Sequence, residues 1–140
     1  MFPGSLNSVF KLILFTEMDE IKYSKKEIAE FFSLGSFEVT FSYLSDSITW
    51  NIVGEKVFEG KAAVVANCDQ TRAYFNTVQT DFRIDNIIAE DNQVVVRGTA
   101  AFMRDGKQIN YVSACDVYEF NDHNQLERIS SYCIPEKRES

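Results

Sequence analysis

Asp116 is the one acid within residues 112–118, a run otherwise made of apolar, small or uncharged side chains. A carboxyl group in such a run is paired, protonated or turned to water. A paired carboxylate is a structural group, whereas an unpaired and desolvated one is suited to general acid or base chemistry. Asp105-Gly106 offers a register with which to choose. Both residues accept the positive φ of a type I′ turn, so a two-residue hairpin there pairs Arg104 with Lys107 and, counting back, Arg97 with Ala114. Arg97 then lies diagonally across from Asp116 on the same face, and an Asp116–Arg97 ion pair is expected. The same count puts Thr99 and Asn110 on that face. Val94, Val96, Phe102, Ile109, Tyr111 and Val117 fall on the opposite, greasier face, which by pattern should meet the helices.

Other reactive residue types are few. His123 is the only histidine and sits in the polar run Asn121-Asp122-His123-Asn124, which reads as a turn, so a His-based triad or metal site would rest on it alone. Cys68, Cys115 and Cys133 are odd in number and form no CxxC pair. Neither a disulfide framework nor a zinc site is expected from them, and reduced thiols in a cytoplasmic protein are the plain reading. No metal or cofactor is expected.

The elements that must position these residues follow from caps, breakers and periodicity. Ser24-Lys25-Lys26-Glu27 is a capping box, with Tyr23 and Ile28 at staple spacing, Ile28, Phe31 and Phe32 as the buried stripe and Gly35 as the stop. Residues 37–44 are open. Phe37, Val39, Phe41 and Tyr43 alternate as in a strand, yet Phe37, Phe41 and Leu44 share a helical face. A strand is expected over 47–53, broken by Gly54. Gly60 precedes a second helix over 61–76, burying Val64, Val65, Cys68 and Phe75. Strands then follow at 80–89, 93–104, 107–120 and 125–134, with turns at Asp91-Asn92, Asp105-Gly106 and 121–124. Helices first and an antiparallel meander last predicts an α+β fold.

At 140 residues the chain has the size of one domain that can bury a core without disulfides. We divide it into an N-terminal extension (1–22), a domain (23–134) and a C-terminal tail (135–140). The apolar run at 9–15 is interrupted by Lys11, is too short to span a bilayer and lacks a basic flank, so neither an anchor nor a signal peptide is expected. The helix cap begins only at Ser24, and Met18-Asp19-Glu20-Ile21 can itself start the domain, so deletion of the first 17 residues should leave the fold intact. A net charge of −7 with scattered basic residues disfavours nucleic acid and anionic membrane as partners. Twelve Phe and six Tyr fill a thick core or line an apolar cavity. Trp50, Phe58, Phe75, Tyr118 and Tyr132 are the aromatics expected in one or the other.

Thr49-Trp50-Asn51, then Gly54 and Gly60 ahead of a helix, then Asp116-Val117-Tyr118-Glu119-Phe120-Asn121 ahead of a last strand resemble the nuclear-transport-factor-two-like superfamily, in its SnoaL-like and ketosteroid-isomerase branch. The resemblance covers about residues 23–134. It implies a cone-shaped, cystatin-like α+β barrel, in which a curved, mainly antiparallel sheet wraps around the N-terminal helices and its open end holds an apolar ligand. It also implies that 37–44 is helical. The isomerases of that branch use a carboxylate base on the first strand, with a Tyr and a protonated Asp stabilising the enolate oxygen. In this chain Asn51 falls at the base position, where it cannot take a proton from carbon. Asp116 matches the oxyanion Asp, and Ile28 or Ala29 falls where the Tyr would stand.

Steroid-type isomerisation by that mechanism is therefore not expected. The resemblance implies instead a domain that binds a small apolar molecule, as an acid/base isomerase, cyclase or dehydratase on a lipophilic substrate. Asp116 would be the acid or base, with Asn51 and Tyr118 orienting a polar group and Trp50, Phe58, Phe75, Arg97 and Tyr132 completing the ligand site. The alternative is a non-catalytic domain that binds a ligand or dimerises. An Asp116 inside the cone conflicts with the face pattern, unless the greasy face is covered by a second copy in a homodimer through the sheet or a β-bulge shifts the register.

Overall fold

The computed structural model describes residues 22–137. The expected N-terminal extension, with its apolar run, lies outside the described residues except for Lys22. Helix α1 (Lys25–Ser33) begins at the capping box: Glu27 N–H donates to Ser24 Oγ at 3.1 Å, and Ser24 N–H donates to Glu27 Oε1 at 2.9 Å. It ends where Gly35 takes φ 82°, which lets Gly35 N–H reach Phe32 O and Ser36 N–H reach Phe31 O, satisfying the last-turn carbonyls. Ile28, Ala29 and Phe32 are its buried side, while Phe31 turns edge-on to Tyr23 with ring centroids 4.9 Å apart.

Residues Phe37–Tyr43 form a 3₁₀ helix whose buried positions, Phe37 and Thr40, are three apart. Three residues per turn fits neither the strand period nor the α period, which is why those residues showed a mixture of both. Strand β1 (Leu44–Ile52) and the short β2 (Lys56–Glu59) then flank the turn at Gly54, the second of them an element not separated by the sequence pattern. Helix α2 (Lys61–Phe75) buries Val64 and Cys68. The remaining strands are β3 (Gln79–Glu90), β4 (Gln93–Arg104), β5 (Lys107–Phe120) and β6 (Leu126–Pro135). Asp105 (φ 53°) and Gly106 (φ 77°) make the β4–β5 turn as expected.

The six strands form one curved sheet in the order β2-β1-β6-β5-β4-β3, antiparallel throughout except for the parallel β1–β6 pair. Among the described residues the sheet does not close into a barrel, since β2 and β3 remain edges. The helices pack on its inner face over a core that includes Phe32, Trp50, Val64, Val96, Tyr118 and Ile129. A fully buried Val or Ile here contributes roughly 1.5–3 kcal/mol.

Two irregularities set the curvature and the facing of the long strands. In β3 the ladder runs Ile84↔Gly98 and then Asn86↔Arg97, leaving Asp85 unpaired. Gly98 is required at this bend, because a Cβ there would lie 2.1 Å from the Arg83 carbonyl oxygen. In β5 the ladder runs Met103↔Gln108 and then Phe102↔Asn110, leaving Ile109 unpaired. The register beyond this bulge differs by one residue from a simple count: Arg97 lies opposite Cys115, not Ala114, and Asp116 lies opposite Val96. Every residue of β4 up to Phe102 therefore swaps faces relative to Asp116. Val94, Val96 and Phe102 share the inner face with Asp116 and are buried, whereas Tyr111 and Val117 face outward with Arg97. The expected division into a polar and a greasy face is corrected by this single extra residue.

Candidate functional site

Inside the curve of the sheet lies a cavity of about 450 Å³. Its walls are mostly aromatic and aliphatic, with Phe32 and Phe37 from the helical side, Trp50 from β1, Phe75 from α2, Phe82 from β3 and Phe102 from β4. These rings lock one another in place: Phe32 stands edge-on to Trp50 at 5.0 Å, and Phe75 edge-on to Phe82 at 5.1 Å. Gly35 lines the wall at the stop of α1, with Phe75 so close that a Cβ would sit 3.2 Å from its ring. The position that ends the helix thus also makes room for the aromatic wall.

Asp116 enters this apolar space with Ser33, Ser131 and Cys133 near it on the same lining. Ser33, the last residue of α1, donates from Oγ to Asp116 Oδ2 at 2.9 Å. The Ser33 Oγ also lies 2.6 Å from the Tyr118 hydroxyl, which is fully buried behind the wall. Ser131 is opposite Asp116 in the β5–β6 ladder and accepts a hydrogen bond from Trp50 Nε1 at 2.9 Å. Removal from water pushes the Asp116 carboxyl above its ordinary range, and hydrogen bonds from Ser131, Ser33 and Tyr118 pull it only part of the way back. Burial likewise raises the Tyr118 hydroxyl far above its usual value, with the Asp116 charge adding to the shift, so it stays protonated. The Cys133 thiol is pushed up to about 11 by desolvation, then by Asp116 and Glu55, so it is neutral near pH 7.

Asp116 makes no ion pair among the described residues. The expected pair with Arg97 is absent for the reason of register given above: Arg97 is exposed on the outer face, where its Nε donates to Asn86 Oδ1 at 3.1 Å. Of the other residues singled out from sequence, Trp50 and Phe75 line the cavity with Asp116, and Tyr118 reaches it through Ser33. Asn51 does not. It alternates with Trp50 and Ile52, which line the cavity, and so its side chain belongs to the opposite face of β1. Phe58 packs behind Trp50 at 6.2 Å, under the Lys56 ammonium at 5.1 Å, and is not part of the lining. Tyr132 is 45% exposed on the outer face, opposite Cys115.

Ser33 and Ser131 were missed as functional residues. Ser131 was within reach of period-two counting, since Ile129, Ser131 and Cys133 alternate inward on β6, but a count needs the β5–β6 register to bring it to Asp116. Ser33 carried no signal: a serine in the last turn of a helix next to a buried Phe is ordinary in sequence. Among the described residues no group of three His, Cys, Asp or Glu side chains could hold a metal ion, and no helix is long and apolar enough to cross a membrane.

The fold is α+β, with a curved sheet around an aromatic cavity, and comparison with known proteins agrees on a family of that fold. The SnoaL-like domain model matches residues 26–129, and the chain belongs to that family. An NTF2-like protein of unknown function from Cytophaga hutchinsonii is 35% identical, with a TM-score of 0.70 over 77% of this chain and 94% of that one. An LEH-like epoxide hydrolase from M. tuberculosis shares the fold at 18% identity, with a TM-score of 0.60 over 78% and 81% of the two chains. A cystatin-fold protein from Novosphingobium aromaticivorans does so at 16% identity, with a TM-score of 0.62 over 79% and 98%. Curated proteins give no match to the sequence.

Proposed function

We propose that this SnoaL-like domain binds a small lipophilic molecule in its cavity and transforms it by acid/base chemistry at Asp116, as an isomerase, cyclase or dehydratase. One observation carries this reading: a carboxyl group with no cationic partner among the described residues, raised by desolvation, borders a cavity of about 450 Å³ whose walls are otherwise mostly apolar. A raised carboxyl group holds its proton nearer to neutral pH and can deliver it to a substrate oxygen. The aromatic walls supply apolar contact area but no charge, so they suit an uncharged ring system with an oxygen function at one end. The M. tuberculosis neighbour, as an epoxide hydrolase, adds epoxides to the compounds worth trying.

The test is a panel of enolisable cyclic ketones, β-hydroxyketones and epoxides incubated with the protein in deuterated water and followed by mass spectrometry. Turnover or deuterium uptake by the wild type that falls by about 10²-fold or more in Asp116→Asn is expected for a general acid/base. Equal turnover by Asp116→Asn would remove Asp116 from the reaction.

We also propose a homodimer through the outer face of the sheet. Its support is the apolar surface left there, with Ile88, Tyr132 and Ile134 at 57%, 45% and 64% exposure. Light scattering should give twice the chain mass, and Ile134→Glu should shift it towards the monomer.

A further inference from the structure

Asp116 is reached from two sides by hydrogen bonds whose direction can be worked out by counting hydrogens. On the helix side, Ser33 Oγ donates to Asp116 Oδ2 at 2.9 Å and lies 2.6 Å from the Tyr118 hydroxyl. A serine hydroxyl has one hydrogen. With that hydrogen on Asp116, Ser33 offers Tyr118 only lone pairs, so Tyr118 O–H is the donor of the short contact, with its hydrogen shared between Ser33 and Asp116, to which Tyr118 is also hydrogen-bonded. On the strand side, the Trp50 indole nitrogen can only donate, and does so to Ser131 Oγ at 2.9 Å. The Ser131 hydrogen is thereby left for Asp116, to which Ser131 is hydrogen-bonded. Both chains run toward the carboxyl group.

We infer that Tyr118 and Ser33 form a two-link positioning relay, in which Tyr118 never meets the ligand but holds the Ser33 hydrogen on Asp116, leaving the carboxyl proton to point into the cavity. This inference rests on the reading of Asp116 as the acid/base group. As Asp116 gives its proton to a ligand oxygen, its O–H bond breaks and the new O–H bond forms, with the freed electron pair staying on the carboxylate. The Ser33 and Ser131 hydrogens already face that pair, so the charge is stabilised without reorganisation. A proton from the ligand carbon or from water then restores the acid. Among the described residues the remaining titratable groups around the cavity are Glu55 in the β1–β2 turn, Tyr74 on α2, Arg83 on β3 and Cys133 on β6. Arg83 is tied to Asp81 at 3.1 Å. Cys68, on α2, acts on Tyr118 and is pushed up to about 12 by burial, so it too is uncharged.

The relay is tested by carbon-13 NMR titration of the Asp116 carboxyl in the full chain, a measurement that needs no ligand. Ser33→Ala should raise its midpoint by about one unit, a tenfold change in acidity, because a donor to the ionised form is lost. Tyr118→Phe should raise it by less, and its effect should shrink in the Ser33→Ala background, where only its direct hydrogen bond to Asp116 is left to lose. Ser33→Thr, which keeps the hydroxyl, should restore the wild-type midpoint and controls for damage to α1. A Tyr118→Phe shift of the same size with and without Ser33 would overturn the relay, showing that Tyr118 acts on Asp116 by its own hydrogen bond alone. So would an unmoved midpoint in Ser33→Ala. Either result leaves the turnover comparison of Asp116→Asn untouched, so the relay can fail while the acid/base reading stands, and the reverse.

Discussion

Asp116 and Arg97 lie on neighbouring strands one register step apart, and their surroundings have nothing in common. The carboxyl group faces a cavity of aromatic side chains and is held by hydroxyl groups. The guanidinium faces outward and is held by an exposed amide. Opposite charges at such spacing would pair if they shared a face, and the sheet prevents it with one unpaired residue, Ile109. The lesson is that the chemistry of a strand residue is decided by the parity of the ladder as much as by its neighbours in sequence. Were Ile109 paired and the whole of β5 counted in step, Asp116 would share a face with Arg97; with Ile109 left out of the ladder, Asp116 has no ion pair among the described residues.

This contrast can be broken in several ways, beginning with the inner face. Replacement of Asp116 by Asn is expected to cost about 10²-fold or more in turnover, as set out above. The next largest effect belongs to the bend that curves β4 around the cavity. Gly98→Ala forces a Cβ to within 2.1 Å of the Arg83 carbonyl and should destabilise the fold by more than about 2 kcal/mol, read by chemical denaturation.

Stability against pH gives a subtler check. The folded Asp116 carboxyl is raised above its ordinary value near 3.8, so the folded state holds its proton more tightly than the unfolded one. That contribution to stability is complete below the ordinary value and is lost as pH climbs through the raised one. Asp116→Asn, which has no charge to desolvate, should therefore gain on the wild type as pH rises from about 3 to 7. A growing deficit over that range would mean that the carboxylate has a stabilising partner.

The smallest effects concern the outer face and the bulge. Arg97→Ala should change stability by less than about 0.5 kcal/mol, as for an exposed residue with no buried partner. Deletion of Ile109 leaves every other β4–β5 pair in register, with Asp116 still opposite Val96. It should cost only about 1 kcal/mol and keep Asp116 inside.

The same bulge marks the boundary of what the sequence could tell. Caps and turns are local chemistry, so Ser24, Gly35 and Asp105-Gly106 announced the ends of α1 and the β4–β5 hairpin, and the strands of the meander fell close to their expected bounds. Trp50, Phe75 and Asp116 were placed at the cavity, the acid by resemblance and the aromatics by composition and position. Arg97 was misplaced because an Ile in a bulge looks like any Ile in a strand, and every face assignment beyond it inherits the error. Asn51 was misplaced differently. Alternation with Trp50 already set it on the other face of β1, and the alignment to a family position hid that parity. Ser33 and Ser131 meet only in three dimensions, one from a helix end and one from the last strand, so no spacing in the chain could pair them with Asp116.

The central claim, an inward acid that is free of Arg97, is tested most directly by titrating the Asp116 carboxyl with carbon-13 NMR in the wild type and in Arg97→Ala. A midpoint above the ordinary carboxylate range, and superimposable curves for the two proteins, are expected because desolvation sets the shift and the arginine lies on the other face. A midpoint at or below the ordinary range in the wild type, moving upward when Arg97 is removed, would contradict the account and restore the ion pair.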